Sequence, residues 1–322
     1  MTDDRGRLLL LDSASLYFRA FYGVPDSVRS PDGVPVNAVR GFLDIVARLV
    51  LDRRPTRLVA AWDDDWRPAF RVRAIPSYKA HRLADPAAAA GDGAEEVPDG
   101  LTPQVPVIVE ALEALGIARV GVPGYEADDV IGTLVARESA RPAGARAAVD
   151  VVTGDRDLFQ LVDDEVPVRV LYTNRGIKDL EVVDVARLAE RYAVASGQAY
   201  ADMAALRGDP SDGLPGVPGI GEKTAAALVR RYGTLAGVLA ARDAGDPGLT
   251  ATQRRRLQDA ADYLDVAPTV VQVARDAAVP EHDDRLPATP ADPERLVALA
   301  ERWGLSSSVR RVVEALTEVG RG

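Results

Sequence analysis

Arg5-Gly6-Arg7-Leu8-Leu9-Leu10-Leu11-Asp12-Ser13 is the stretch whose reading decides the fold. Four leucines bounded by charge read as a short strand buried on both faces, the signature of a parallel sheet. The acid that closes the run matters as much as the run. Leu58-Val-Ala-Ala-Trp-Asp63 repeats the pattern, and so does Val149-Asp-Val-Val-Thr-Gly-Asp155-Arg-Asp157. Open parallel sheets build their sites beyond the carboxyl ends of the strands. Three predicted strands therefore deliver carboxylates to one edge.

Working outward, the spacing of Val39, Leu43, Val46 and Val50 predicts a helix over 36–51. Further helices are expected over 14–22, 103–115 (Pro103 fits a first turn) and 128–139. Strands are expected over 57–62, 118–122, 148–153 and 166–172. Alternating strands and helices imply an α/β fold, a mostly parallel sheet flanked by helices, over residues 1–195. The rest is Ala- and Arg-rich and reads as helical. Residues 83–100, LADPAAAAGDGAEEVPDG, are the one low-complexity stretch, either a plain linker or a lid beside the site. Cationic and aromatic groups gather just before it, from Phe70-Arg71-Val-Arg73 to Ser77-Tyr78-Lys79-Ala-His81-Arg82.

A chain of 322 residues suggests about two domains. The absence of Cys excludes disulfides, a Cys nucleophile and Cys-ligated zinc. Two histidines, His81 and His282, exclude a His-rich metal site. The leucine run at the N-terminus is too short for a signal peptide or a membrane helix, so a soluble cytoplasmic protein is expected. A formal charge of −10 argues superficially against nucleic acid. Setting aside nine acids assigned below to metal binding leaves 40 acids against 39 bases. Only three of those bases are lysines, Lys79, Lys178 and Lys223. Lys is a compact point charge where Arg is a planar fork, so sites that keep Lys invite a phosphate reading, the alternative being three lysines left by chance under a codon-driven Arg bias.

Two more acid clusters join the strand ends: Gly124-Tyr-Glu126-Ala-Asp128-Asp129 opening a helix, and Gly208-Asp209-Pro-Ser-Asp212-Gly213. Taken singly, GYEADD is also an acid-rich first turn favoured by the helix dipole, and TGDRDLFQL is also a loop packing Leu158, Phe159 and Leu161. Together, five acid clusters repel one another unless cations sit among them. Oxygen donors without His or Cys select Mg²⁺ or Mn²⁺. Two such ions about 4 Å apart suit phosphodiester hydrolysis.

Leu214-Pro-Gly-Val-Pro-Gly-Ile-Gly-Glu-Lys-Thr-Ala225 departs from a P-loop, since Glu222 separates Gly221 from Lys223 and no strand precedes it. It reads as a helix-hairpin-helix whose Gly219 and Gly221 bring backbone N–H groups to a phosphate. A plain Gly/Pro turn between packed helices is the alternative.

With these motifs in order, the chain over about 7–275 resembles the bacterial 5′-3′ exonuclease/flap endonuclease family, which includes the 5′-nuclease domain of DNA polymerase I. The resemblance rests on LLLLDSASLYFRAFYG, AWDDDWRPAFR, SYKAHR, GYEADD, TGDRDLFQL and GDPSDGLPGVPGIGEKTA. It implies a PIN-like catalytic domain over 1–195 with a helical arch at about 70–102. It further implies a helix-three-turn-helix DNA-binding domain over 196–275, leaving 276–322 as an extension in which Trp303 and Leu305 pack a terminal helix and His282 is exposed. The first metal would be held mainly by Asp12, Asp63, Glu126, Asp128 and Asp155. Asp129, Asp157, Asp209 and Asp212 would complete the second, some through waters. Arg71, Lys79 and Arg82 would meet the scissile phosphate. Gly219 and Gly221, with Lys223 and Thr224, would hold DNA backbone through a monovalent cation such as K⁺. Tyr17, Phe18 and Tyr22 would stack on bases or lie in the core, and Tyr78 would join the DNA contacts.

The implied substrate is DNA with 5′ flaps, nicks or ends, handled in primer removal and repair by a monomer near the nucleoid. No membrane is involved and protein partners stay undefined. The arch is short of basic residues, which bears on whether a 5′ end threads it, and no polymerase domain follows, so a stand-alone nuclease is expected. The competing readings are a silent DNA-binding module, which would not need nine acids, and a PIN-type ribonuclease, which would not need the hairpin.

Overall fold

The computed structural model describes residues 6–85 and 93–320. The leucine run forms β1 (Arg7–Asp12), and helix α1 (Ser13–Gly23) leaves its end. Next come α2 (Asn37–Arg53), β2 (Arg57–Ala61), α3 (Ala69–Ala74), α4 (Val105–Leu115), β3 (Ala118–Val120) and α5 (Ala127–Ala140). The strands β4 (Ala148–Thr153), β5 (Val168–Tyr172) and β6 (Glu181–Val183) complete a six-stranded sheet of order β3-β2-β1-β4-β5-β6. Every pairing is parallel except β5 with β6.

Period-two alternation within the apolar strands builds two cores. Leu8, Leu10, Val59, Val149 and Val151 face one, while Leu9, Leu11, Leu58, Ala60 and Val152 face the other. The first is closed by α5 and by the helical half of the chain. That half comprises α6 (Val185–Tyr192), α7 (Gly197–Arg207), α8 (Glu222–Tyr232), α9 (Leu235–Asp243), α10 (Ala251–Asp259) and α11 (Ala261–Val271). The second is closed by α1, α2, α4 and two last helices, α12 (Pro293–Trp303) and α13 (Ser306–Gly320).

The C-terminal extension is integral to the first half of the chain. β3 spans three residues and pairs only with Val59–Ala61. The vacant stretch of β2 before it is covered by the extension, through Leu58 N donating to Asp284 O (2.8 Å) and Leu286 N to Thr56 O (2.9 Å). Arg311 forks onto Asp44 of α2 at 2.7 Å. Leu305 is buried as expected, but His282 is partly buried rather than exposed. Of the arch segment, residues 86–92 lie outside the described residues. The described part consists of α3, a 3₁₀ turn at Ala80–Arg82, and a short ladder in which Ala84 N donates to Ala94 O and Glu96 N to Arg82 O. No helix among the described residues is long and apolar enough to cross a membrane.

Candidate active site

Register places the strand-end acids side by side. Asp12 closes β1 opposite Ala61 of β2, so Asp63 follows two residues on, and Thr153 ends β4 just before Asp155. Thr153 Oγ1 donates to Asp12 Oδ2 (2.6 Å), and Asp12 Oδ1 caps α1 through Ser15 N (3.2 Å). Asp63 accepts from Ala127 N (2.8 Å), which ties the end of β2 to the N-terminus of α5. Asp12, Asp63, Glu126, Asp128 and Asp155 line one cavity of about 240 Å³ with Ser15, Phe18, Trp66, Lys79, Arg82 and Glu95.

The second group of acids adjoins it. Asp157 N donates to Asp155 Oδ1 (2.9 Å). Asp157 feels the charges of Asp155, Asp212 and Asp209. The SYKAHR stretch reaches these acids across 130 residues of chain: Arg82 Nη2 donates to Asp212 Oδ1 (2.6 Å), Lys79 N to Asp212 O (2.9 Å) and Ser77 Oγ to Gly213 O (2.7 Å). Gly213 is required there, because at φ +73 a Cβ would stand 2.1 Å from Ser77 O. Lys79 adopts the left-handed conformation (φ 48) and sets Nζ 3.0 Å from Glu126.

Burial and mutual repulsion disfavour the charged form of these carboxylates, an environment that a cation would relieve. Burial pushes Asp12 up to about 6, against the hydrogen bonds from Thr153 and Ser15 and with added repulsion from Asp155. Burial and the charge of Asp12 push Asp63 up to about 7. Asp128 and Asp157 are raised well above the usual range by burial and by Asp155. Burial would lower Lys79, but Glu126, Tyr78 and Asp212 outweigh it and hold the amine charged. Among the described residues no three carboxylates close to the spacing of a single bound ion. Mg²⁺ fits such a site, because it keeps several waters and needs only one or two carboxylates directly. The donor set is all oxygen, so Mg²⁺ or Mn²⁺ matches the residues present.

Three expected site residues lie elsewhere. Asp129 is fully buried and turned away from the cavity, its oxygens taken by Arg71 Nη1 and Nη2 (2.7 and 2.6 Å), Glu126 N (3.2 Å) and Ala274 N (2.8 Å). It is a structural counter-ion, not a metal ligand. Arg71, 2% exposed, is the other half of that pair and lies 3.4 Å from Glu126, so it is not free to meet a phosphate. Tyr78 is buried and donates its hydroxyl to Glu126 at 2.9 Å, which excludes stacking on a base. Tyr17 is half-buried against Trp62, Phe18 lines the cavity, and Tyr22 is 73% exposed. The residues missed in the sequence are Glu95 and Trp66. Glu95 sits in the low-complexity stretch without a motif and is placed by its bridge to Leu83.

In the helical half, Gly221 caps α8 with no side-chain bond and with open space where a Cβ would be. Gly219 needs its positive φ of 79, and a Cβ there would press on the Arg256 guanidinium, which donates to Gly219 O at 2.9 Å. Gly219, Gly221 and Lys223 are exposed and Thr224 is half-buried.

The cavity thus gathers strand-end carboxylates around Lys79, and a helix N-terminus at Gly221 is open. Residues 7–193 match the family described as 5′-3′ exonuclease, N-terminal resolvase-like domain, and residues 195–294 match 5′-3′ exonuclease, C-terminal SAM fold. The chain is 61% identical to a 5′-3′ exonuclease of Streptomyces coelicolor, over 96% of this chain and 100% of that one. It is 43% identical to DNA polymerase I of Mycobacterium bovis over 73% of this chain and 24% of that one. The crystal structure of T5 D15 protein co-crystallized with metal ions has the same fold, with TM-score 0.62 and 16% identity over 97% of this chain and 99% of that one. The chain belongs to the 5′-3′ exonuclease family and is a nuclease.

Proposed function

We propose that this nuclease hydrolyses DNA phosphodiesters at 5′ flaps, nicks and ends with two divalent ions, in primer removal and repair. The observation that carries the reading is the single cavity shared by Asp12, Asp63, Glu126, Asp128, Asp155 and Lys79. These acids would hold one Mg²⁺ or Mn²⁺, and Asp157, Asp209 and Asp212 would complete a second site, some through waters. When bound, such ions would supply activation of the attacking water and charge stabilisation at the leaving oxygen.

The protein's own groups do the rest. Lys79 and Arg82, now paired with Glu126 and Asp212, exchange those partners for the scissile phosphate. Phe18 and Trp66 are the aromatic side chains in an otherwise mainly charged lining. The exposed N–H groups at Gly219 and Gly221, with Lys223 and Thr224, take duplex backbone, and a K⁺ ion is proposed at the carbonyls beside them. Such contacts read backbone and not sequence, which suits an enzyme selective for structure. The chain is proposed to act as a monomer near the nucleoid, with the catalytic domain over 1–195, the duplex-binding domain over 196–275, and Asp209 and Asp212 contributed to the metal site from the latter.

Asp155→Ala tests the reading. It should abolish cleavage of a 5′ flap in Mg²⁺ while DNA affinity in Ca²⁺ holds, and turnover at the wild-type rate would reject it.

A further inference from the structure

The segment that leaves α11, residues 270–274, is bound by side chains from three separate parts of the catalytic half. Arg71, from α3, donates Nε to Val270 O (3.2 Å) and Nη2 to Gln272 O (3.4 Å). Asp129, from α5, accepts from Ala274 N (2.8 Å). Gln160, from the 3₁₀ turn Asp157–Leu161, donates Nε2 to Val271 O (3.0 Å) and accepts from Val273 N (3.0 Å) through Oε1. Gln160 is 4% exposed, and its amide also donates to Asp157 O (2.8 Å). The backbone of this strap thus alternates between two grips.

Each grip leads to a different set of acids. Arg71 and Asp129 touch Glu126 directly, through the 3.4 Å approach and the N-cap bond. Gln160 leads to Asp157 and, through Asp157 N, to Asp155. The far end of the strap is α11, which packs on α7, the helix that enters the glycine hairpin. Tyr263 Oη of α11 donates to Ala205 O at 2.9 Å.

We propose that Gln160 is a positioning residue for the metal-binding acids. Through the strap it fixes the separation between the carboxylates on α5 and those after β4, so that docking of the hairpin half sets the ion-binding geometry. No residue of the strap touches the cavity, and Gln160 acts only through Asp157 and the strap backbone. The proposal rests on the metal-site reading above.

The test is Mn²⁺ binding to the DNA-free protein, followed by calorimetry or by the loss of free-Mn²⁺ paramagnetic signal, for wild type and Gln160→Leu. Partners behind metal ligands typically carry a factor of about 10–100 in affinity. Gln160→Leu should weaken Mn²⁺ binding at least about tenfold. Single-turnover cleavage at saturating DNA should fall in parallel, while duplex affinity in Ca²⁺ stays within about twofold of wild type. Gln160→Asn keeps the amide but is one methylene too short to hold Val271 O, Val273 N and Asp157 O together, and it should shift Mn²⁺ affinity in the same direction. It decides the matter if Gln160→Leu does not fold. A folded variant with lower thermal stability but wild-type Mn²⁺ affinity would overturn the proposal and leave the strap a purely structural tie. Absence of Mn²⁺ binding by the wild type would instead overturn the metal reading.

Discussion

Asp129→Ala separates the two roles its sequence position allows. The change strips the hydrogen-bonded counter-ion from a guanidinium that is 2% exposed and held at 2.6 and 2.7 Å, and leaves it only the looser 3.4 Å approach to Glu126. Removing one partner of a buried pair typically costs about 3–5 kcal/mol, most of it the penalty of the charge left behind. Glu126 N and Ala274 N lose their acceptor as well. The expected loss of unfolding free energy is therefore about 3–5 kcal/mol, a large share of the total for an ordinary domain. Asp155→Ala is the contrast. Asp155 is exposed and surrounded by acids, so its removal in EDTA should leave stability unchanged or slightly raised. A third variant, Arg71→Met with Asp129→Leu, removes both charges and should cost less than Asp129→Ala alone. Equilibrium urea unfolding in EDTA near neutral pH measures all three. If Asp129→Ala unfolds within about 0.5 kcal/mol of wild type while Mn²⁺ binding is lost, Asp129 is a ligand and the buried-pair account is wrong.

Three further outcomes are expected. Asp12 and Asp63 are raised to about 6 and about 7, above the unfolded value of about 3.9. The folded protein therefore binds more protons in that window, so stability without metal should fall as pH rises from about 4 to about 7 and be restored by Mg²⁺ above it. Thermal melts in EDTA that rise across this range would contradict the assignment. Lys79→Ala should slow single-turnover flap cleavage about 10²–10³-fold, far more than it weakens DNA binding in Ca²⁺, and Lys79→Arg should recover only part of the rate. Cleavage at the wild-type rate once saturated would make Lys79 a mere binding contact. Gly221 has φ −83 and open space around its Cα, so Gly221→Val should fold normally. It should still lose affinity for duplex but not for single strands in a fluorescence binding titration, and equal losses would count against the hairpin contact.

What could be read from the chain follows from how local each signal is. β1, β2 and β4 were legible because an apolar run and its terminal acid are contiguous in sequence. β6 was not, since three residues with an exposed Val182 carry no periodicity. Neighbouring acids on a helix point about 100° apart, and GYEADD does not say which of them faces the cavity. Asp128 does, while Asp129 turns to Arg71, a partner 58 residues away. Tyr78 misleads for a different reason: its hydroxyl is buried against Glu126, a carboxylate 48 residues away that no local motif pairs with it. Glu95 and the strap at 270–274 rest on pairings between distant segments that no motif encodes. The extension's place beside β2 becomes evident only once β3 is seen to be too short to cover it.

Cleavage of a 5′-labelled panel of flap, nicked and blunt DNA in Mg²⁺, Mn²⁺ or EDTA tests the central claim most directly. The account predicts hydrolysis in either metal, none in EDTA, and faster cutting of the flap and the nick than of the blunt duplex. Cleavage that persists in EDTA, or equal rates on all three substrates, would contradict it.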